Sequence, residues 1–317
     1  MLLTPLTSTG NSNKNDEHQS PAKCMTLSIG VNPITWSNDD LQYVGGDVSL
    51  QTCLKEAAAA GYAGIELGHK FTRDADKLKP ILAEYGLSLV SGWYSGRLIE
   101  HDSKHEIEAM AAHATLLRNM GCEVLIFAEV TGCIHSQIDA RLSQRPRISV
   151  SDWKRFGKRL SETARAANDH GLKLCYHHHM GTVVQSGADI DSLMQETTED
   201  VFLLLDTGHA FFAAADPVAI ARQYAGRVGH LHCKDVREKV LRRSLNQDCS
   251  FLEAVLDGVF TVPGDGCIDF PGVFSALAET GYAGWAVVEA EQDPSVATPL
   301  TYARVGCDNL RAFVAQA

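Results

Sequence analysis

From Thr26 onward, short apolar runs alternate with longer, alanine-rich amphipathic segments. The short runs favour β-branched and aromatic residues, which suits strands. The longer segments repeat apolar positions at helical spacing. The pattern predicts strands over Thr26–Val31, Ala63–Leu67, Leu87–Ser91, Glu123–Ala128, Leu172–His177, Val201–Asp206, Arg227–His232 and Trp285–Glu289. Helices are expected over Ser49–Ala60, Ala75–Tyr85, Ser103–Met120, Ser151–His170, Asp189–Glu196, Asp216–Ala225, Pro271–Thr280 and Thr298–Val314. Such an alternation of strand and helix, repeated eight times, is what an α/β protein of the (β/α)8 type requires. An open doubly wound sheet is the rival. It would carry a glycine-rich nucleotide loop after the first strand, and Asn32-Pro33-Ile34-Thr35 is not one.

A faint internal repeat supports the closed barrel. Ala57-Ala58-Ala59-Ala60-Gly61-Tyr62-Ala63-Gly64 resembles Ala276-Leu277-Ala278-Glu279-Thr280-Gly281-Tyr282-Ala283-Gly284. Each is a helix end, a glycine cap and the start of a strand. The long connections His69–Arg73, Trp93–Asp102, Val130–Val150 and Lys234–Asp269 all follow expected strand ends. In a barrel these loops build the active-site face. The last is expected to contain a short helix over Leu245–Phe260.

Four apolar runs of the second half end in a residue able to hold a divalent metal. Leu172–Tyr176 ends in His177-His178-His179, Val201–Leu205 in Asp206, Val228–Leu231 in His232, and Trp285–Val288 in Glu289. In a parallel barrel these ends meet at one face. The predicted metal set is therefore His177, Asp206, His232 and Glu289. Imidazole and carboxylate ligands suit Mn²⁺, Co²⁺, Zn²⁺ or Fe²⁺ better than Mg²⁺. His177 and His179 share a strand face, so either is open as the first ligand. Asp206 has a bland alternative as a helix N-cap. His230 reads as a deeper, hydrogen-bonded core histidine, and Glu291 as an outer or surface acid.

Polar and aromatic groups at other strand ends are expected to contact substrate: Asn32 and Trp36 after the first strand, Glu66 and His69 after the second, Trp93 after the third and Glu129 after the fourth. His230 and Arg237 join them. So many hydrogen-bonding groups suit a polyhydroxylated molecule. Lys234, just past a ligand, is a candidate acid/base group.

Composition narrows the reading further. A net charge of −11 argues against nucleic acid or an anionic membrane as partner. No apolar run approaches the ~20 residues that span a bilayer. Residues 1–24 are polar and lack a signal-peptide core, so they are expected to be a disordered extension before a single barrel domain over 25–317. Nine cysteines without a CxxC pair read as reduced thiols and point to the cytoplasm.

Several motifs together resemble the inosose dehydratases of myo-inositol catabolism, within the xylose-isomerase-like TIM barrels. They are Val31-Asn32-Pro33-Ile34-Thr35-Trp36-Ser37-Asn38-Asp39-Asp40, Tyr176-His177-His178-His179-Met180-Gly181-Thr182, Leu205-Asp206-Thr207-Gly208-His209, His230-Leu231-His232-Cys233-Lys234-Asp235-Val236-Arg237 and Gly264-Asp265-Gly266-Cys267-Ile268-Asp269-Phe270. The resemblance implies dehydration of 2-keto-myo-inositol to a trihydroxycyclohexane-dione with Mn²⁺ or Co²⁺, and glutathione as a possible further requirement. The superfamily's usual metal set is Glu, Asp, His, Glu. The last three look like Asp206, His232 and Glu289, while the first position here falls in the histidine run. Dehydration needs a base at the carbon beside the ketone and an acid at the departing hydroxyl. Glu289 and His179 are the expected bases; His209, His230 or Lys234 the expected acid. A ketose epimerase or isomerase is the alternative enzyme, and a sugar-binding protein the alternative outside enzymes. By analogy with related barrels the chain is expected to form a homo-oligomer.

Overall fold

The computed structural model describes residues 26–316; the expected extension over 1–24 lies outside them. Eight parallel strands close into a barrel. They are β1 (Thr26–Val31), β2 (Gly64–Leu67), β3 (Ser88–Gly96), β4 (Val124–Glu129), β5 (Lys173–His177), β6 (Val201–Asp206), β7 (Val228–Cys233) and β10 (Ala283–Val288). β10 pairs with both β7 and β1, which closes the ring. A two-stranded ribbon of β8 (Asp235–Val236) and β9 (Phe260–Thr261) stands outside it.

The helices are α1 (Leu50–Ala60), α2 (Ala75–Glu84), α3 (Ser103–Asn119), α4 (Trp153–Asp169), α5 (Gly187–Glu196), α6 (Thr207–Phe212), α7 (Pro217–Tyr224), α8 (Glu238–Gln247), α9 (Phe251–Leu256), α10 (Phe270–Ala278) and α11 (Pro299–Val314). Their starts are set locally. Ser49, Asp74, Asp102, Ser186 and Ser250 each accept a backbone N–H of the first turn through the side chain. The main apolar core lies between the strands and this outer layer. Among the described residues no helix is long and apolar enough to cross a membrane.

Two expectations need correcting, and one helix was not foreseen. β3 runs on to Gly96, so Trp93 lies inside a strand rather than after it. The glycine at position 92 masks the continuing alternation. The insertion after β7 carries two helices, not one over Leu245–Phe260. Asp248 breaks the run in a left-handed conformation (φ 47°), and Ser250 with Glu253 forms a capping box that starts α9. The one-and-a-half turns of α6 are too short to show as a periodic pattern.

Two irregularities aim side chains into the barrel. Between β2 and β3 the register jumps from Ile65–Leu89 to Leu67–Gly92. Between β6 and β7 it jumps from Leu203–Val228 to Leu204–His230. Each inserts a residue into one strand, which re-aims its neighbours. The N-terminal end of the barrel is plugged. A Cβ on Gly64 would lie 2.6 Å from Val90 and 2.8 Å from Trp285, so glycine is required for Trp285 to pack across it.

Candidate metal centre

At the C-terminal ends of β5, β6, β7 and β10, one ligand atom from each of His177, Asp206, His232 and Glu289 comes within 4.8 Å of the other three. Glu289 is the first residue past β10, and its N–H still bonds to Cys233 at 3.3 Å. All four are buried. Asp206 Oδ2 lies 3.7 Å from His177 Nε2 and 3.6 Å from His232 Nδ1. Two ligands of one tetrahedral ion, each about 2.1 Å from it, would be roughly 3.4 Å apart.

Each member is oriented by a partner behind it. His177 donates from Nδ1 to the His178 carbonyl at 2.6 Å, which leaves Nε2 for the site. His232 donates from Nε2 to Glu66 Oε1 at 3.1 Å, which leaves Nδ1. Asp206 divides its two oxygens. Oδ1 caps α6 by accepting the His209 N–H at 2.8 Å, and Oδ2 faces the ligands. The N-cap and ligand readings of this residue therefore describe two oxygens of one carboxylate.

Three buried atoms of the quartet, Asp206 Oδ2, His232 Nδ1 and Glu289 Oε2, lack a hydrogen bond of normal geometry among the described residues, and the last two press directly on each other. Orphaned lone pairs in a buried site are costly unless something satisfies them. A divalent cation fits this donor set of two imidazoles and two carboxylates. Burial, together with the neighbouring His232 and His179 rings, holds His177 well below the usual histidine range, so it is neutral and ligand-ready. For His232 burial works the other way from its carboxylate neighbours, and Glu289 and Glu66 push it well upward.

Comparison with known proteins gives the family. Residues 54–313 match the family described as xylose isomerase-like TIM barrel. The chain is 48% identical to the rhizopine catabolism protein MocC of Rhizobium meliloti, over 92% of this chain and 90% of that protein. It is 41% identical to the inosose dehydratase of Geobacillus thermodenitrificans, over 87% of this chain and 94% of that enzyme. It belongs to the inosose dehydratase family, within the xylose isomerase-like barrels. The solved structure of the IOLI protein, which holds a zinc atom, shares the fold at a TM-score of 0.63 and 15% identity, covering 90% of this chain and 96% of that one.

Like its family relatives the chain is an enzyme, and its cavity has a volume of about 290 Å³. The lining includes His177, His179, His232 and Glu289, with Asn32, Glu66, His69 and Trp93 from the expected substrate contacts. Asn32 and Glu66 are already engaged with each other at 2.7 Å. Glu66 also accepts from Ser91 at 2.6 Å and from His230 at 2.9 Å, so it acts as a hub beneath the site. His179 donates from Nδ1 to the Met180 carbonyl at 2.8 Å. Its Nε2 is left as a lone pair, and burial with the nearby His135 and Lys234 charges holds the ring neutral.

Other expected site residues do not reach the cavity. Trp36 is 1% exposed and donates to Glu56 at 2.7 Å, away from it. Glu129 faces backbone, accepting the Leu98 N–H at 2.6 Å and the Thr131 N–H at 3.0 Å. Arg237 binds the Gly258 carbonyl at 2.9 Å and Asp265 at 2.8 Å in the insertion. His230 sits deeper, on Glu66. Lys234 is fully buried behind the ligands, with Nζ 3.0 Å from Glu289, 3.5 Å from Glu291 and 3.9 Å from Asp206. It donates to His209 Nε2 at 3.1 Å. His209 is in turn packed against Phe251 and Phe260 of the insertion's own small core.

The cavity also has lining groups that the sequence did not single out: Asp39, Asp40, Arg73, Ser95 and His135. Glu291, read as an outer or surface acid, is 1% exposed and lines the cavity too. It accepts from Asn38 at 3.0 Å, and burial pushes its carboxyl up to about 7. Asp39 and Asp40 directly follow the Asn-Pro-Ile-Thr-Trp-Ser-Asn stretch. Two adjacent acids in the first βα loop were the available signal.

Proposed function

We propose that the enzyme dehydrates 2-keto-myo-inositol to 3D-(3,5/4)-trihydroxycyclohexane-1,2-dione, using Mn²⁺ or Co²⁺ held by His177, Asp206, His232 and Glu289. The observation that carries this is the buried quartet, three of whose members (His177, His232 and Glu289) line the cavity, on a chain of the dehydratase family. A divalent cation there would draw electron density from the ketone and so acidify the neighbouring C–H.

The chain's own residues supply the rest. His179 Nε2, neutral and directed by its Nδ1 bond to Met180, takes the proton from the carbon beside the ketone. Glu289 is engaged by His232 and by Lys234 at 3.0 Å, which suits a ligand better than a base. Trp93 and Ile126 give the cavity an apolar wall that packs against the ring carbons, while Ser95, Arg73 and Glu291 offer partners to hydroxyls.

A second substrate deserves a parallel assay. The 48% identity to a rhizopine catabolism protein makes a ketone from that route the second candidate. The test is to strip the protein with chelator, restore single metals, and follow each ketone by mass and by absorbance. Dehydration removes one water and creates an enol or dione chromophore. Epimerisation would change neither mass nor absorbance. Metal-loaded protein that leaves 2-keto-myo-inositol at its original mass would overturn the reading.

A further inference from the structure

Dehydration needs a proton donor for the departing hydroxyl, and the three groups expected to serve are all walled off. His209 lies behind Lys234, Lys234 behind the two carboxylate ligands, and His230 beneath Glu66. The donor must therefore be sought among the other groups that line the cavity.

Most of these are already committed. Both Glu66 oxygens accept hydrogen bonds, from Ser91, His230 and His232 on one side and Asn32 on the other. Glu291 accepts from Asn38 and faces the Lys234 ammonium at 3.5 Å. Arg73 does not release a proton near neutral pH. His135 and Asp40 face each other at 3.7 Å without a hydrogen bond, and the His135 Nδ1 is buried with no partner, so neither side chain is oriented by a bonded neighbour.

His69 is different. Its Nδ1 is hydrogen-bonded to Asp39 Oδ1, and the same oxygen accepts the His69 backbone N–H at 3.3 Å. One carboxylate thus fixes both the ring and the chain that carries it. The Nε2 edge has only a long contact of 3.5 Å to Ser37 Oγ. Side-chain exposure is 26% for His69 and 46% for Asp39, so the pair touches both the cavity and outside water.

We infer that His69 is the catalytic acid of the dehydration and that Asp39 is its positioning residue. This rests on the dehydratase reading above. His179 takes the proton from the carbon beside the ketone, and that electron pair forms the new C=C bond. The C–O bond on the next carbon breaks. The departing oxygen takes the Nε2 proton of protonated His69 and leaves as water. His69 remains neutral, with Nδ1–H still on Asp39, and regains its proton from water at the mouth. His179 releases the substrate proton to solvent.

Two rates separate the roles: loss of water from 2-keto-myo-inositol, and exchange of its α-hydrogen in D2O followed by NMR. For metal-loaded His69→Gln, dehydration is expected to fall about 100-fold or more, with exchange preserved. Asp39→Asn should lower kcat for dehydration about tenfold at unchanged KM, and Asp39→Glu should restore it. His69→Gln with unchanged dehydration, or with both rates lost together while metal is retained, would overturn the assignment. So would the split behaviour appearing in His135→Gln instead. If the wild-type enzyme shows neither rate with this ketone, the functional reading itself fails, before any variant is compared.

Discussion

Glu66 Oε1 accepts the Nε2–H of His232 at 3.1 Å, and this bond decides which edge of the His232 ring faces the other ligands. The same oxygen holds His230 at 2.9 Å. Burial opposes ionisation of Glu66, but His232 and His230 hold its carboxyl far below the usual range. A carboxylate behind a ligating imidazole fixes the tautomer and raises the ring's basicity. Glu66→Gln is expected to weaken Mn²⁺ or Zn²⁺ binding about 10–100-fold by calorimetry. Unchanged affinity would mean that the hub orients nothing.

Lys234 is 0% exposed and lies within 4 Å of three carboxylates, those of Glu289, Glu291 and Asp206. In the metal-free protein its ammonium is a fixed positive charge among them. Lys234→Met should therefore destabilise the metal-free protein by about 3–5 kcal/mol, the usual effect of breaking a buried ion pair. It should also tighten metal binding, because a competing cation is gone. Thermal unfolding with and without metal checks both statements. Equal losses in the two states would contradict that role.

Glu129 gives a prediction about pH. Burial raises its carboxyl to about 7, from an ordinary value of 4.5. The folded state therefore binds this proton more tightly than the unfolded chain. The associated stability is fully present below pH 4.5 and is lost as pH rises through 7, by an amount on the order of 3 kcal/mol. Glu129→Gln should flatten the unfolding free energy across that window and leave KM unchanged. A raised KM would return Glu129 to the substrate.

Asp235 accepts four backbone N–H groups, from Val236 and Gly264 at 2.8 Å and from Gly266 and Ile268 at 2.9 Å. It knots the glycine-rich turn before α10 to the strand that follows β7. Asp235→Ala leaves those donors without an acceptor, at about 1–3 kcal/mol for each one that water cannot reach. A clear drop in melting temperature is expected, while Asp235→Asn should lose less.

The barrel was legible because its signals are local. Apolar runs, Ser and Asp caps and glycine stops lie within a few residues of what they control, so most boundaries agree within one or two positions. The quartet was visible for the same reason, since each member stands at the end of an apolar run. Direction was not visible. A polar group at a strand end can face the cavity, as His69 does, or the backbone of the next loop, as Glu129 does. Only long-range packing decides between them. Asn38 reaches Glu291 across 253 positions, and no periodicity records that contact.

Trp285, packed over Gly30 and Gly64, gives the barrel a solid floor. The cavity is a dead end rather than a passage. On the proposed reaction the ketone enters through the mouth that the dione and the released water must also use. Turnover is then a matter of single-file traffic: the dione must clear the mouth before the next ketone can enter. Accumulated product should compete directly with substrate, and loosening the loops at the mouth should relieve that queue before any change at the metal does.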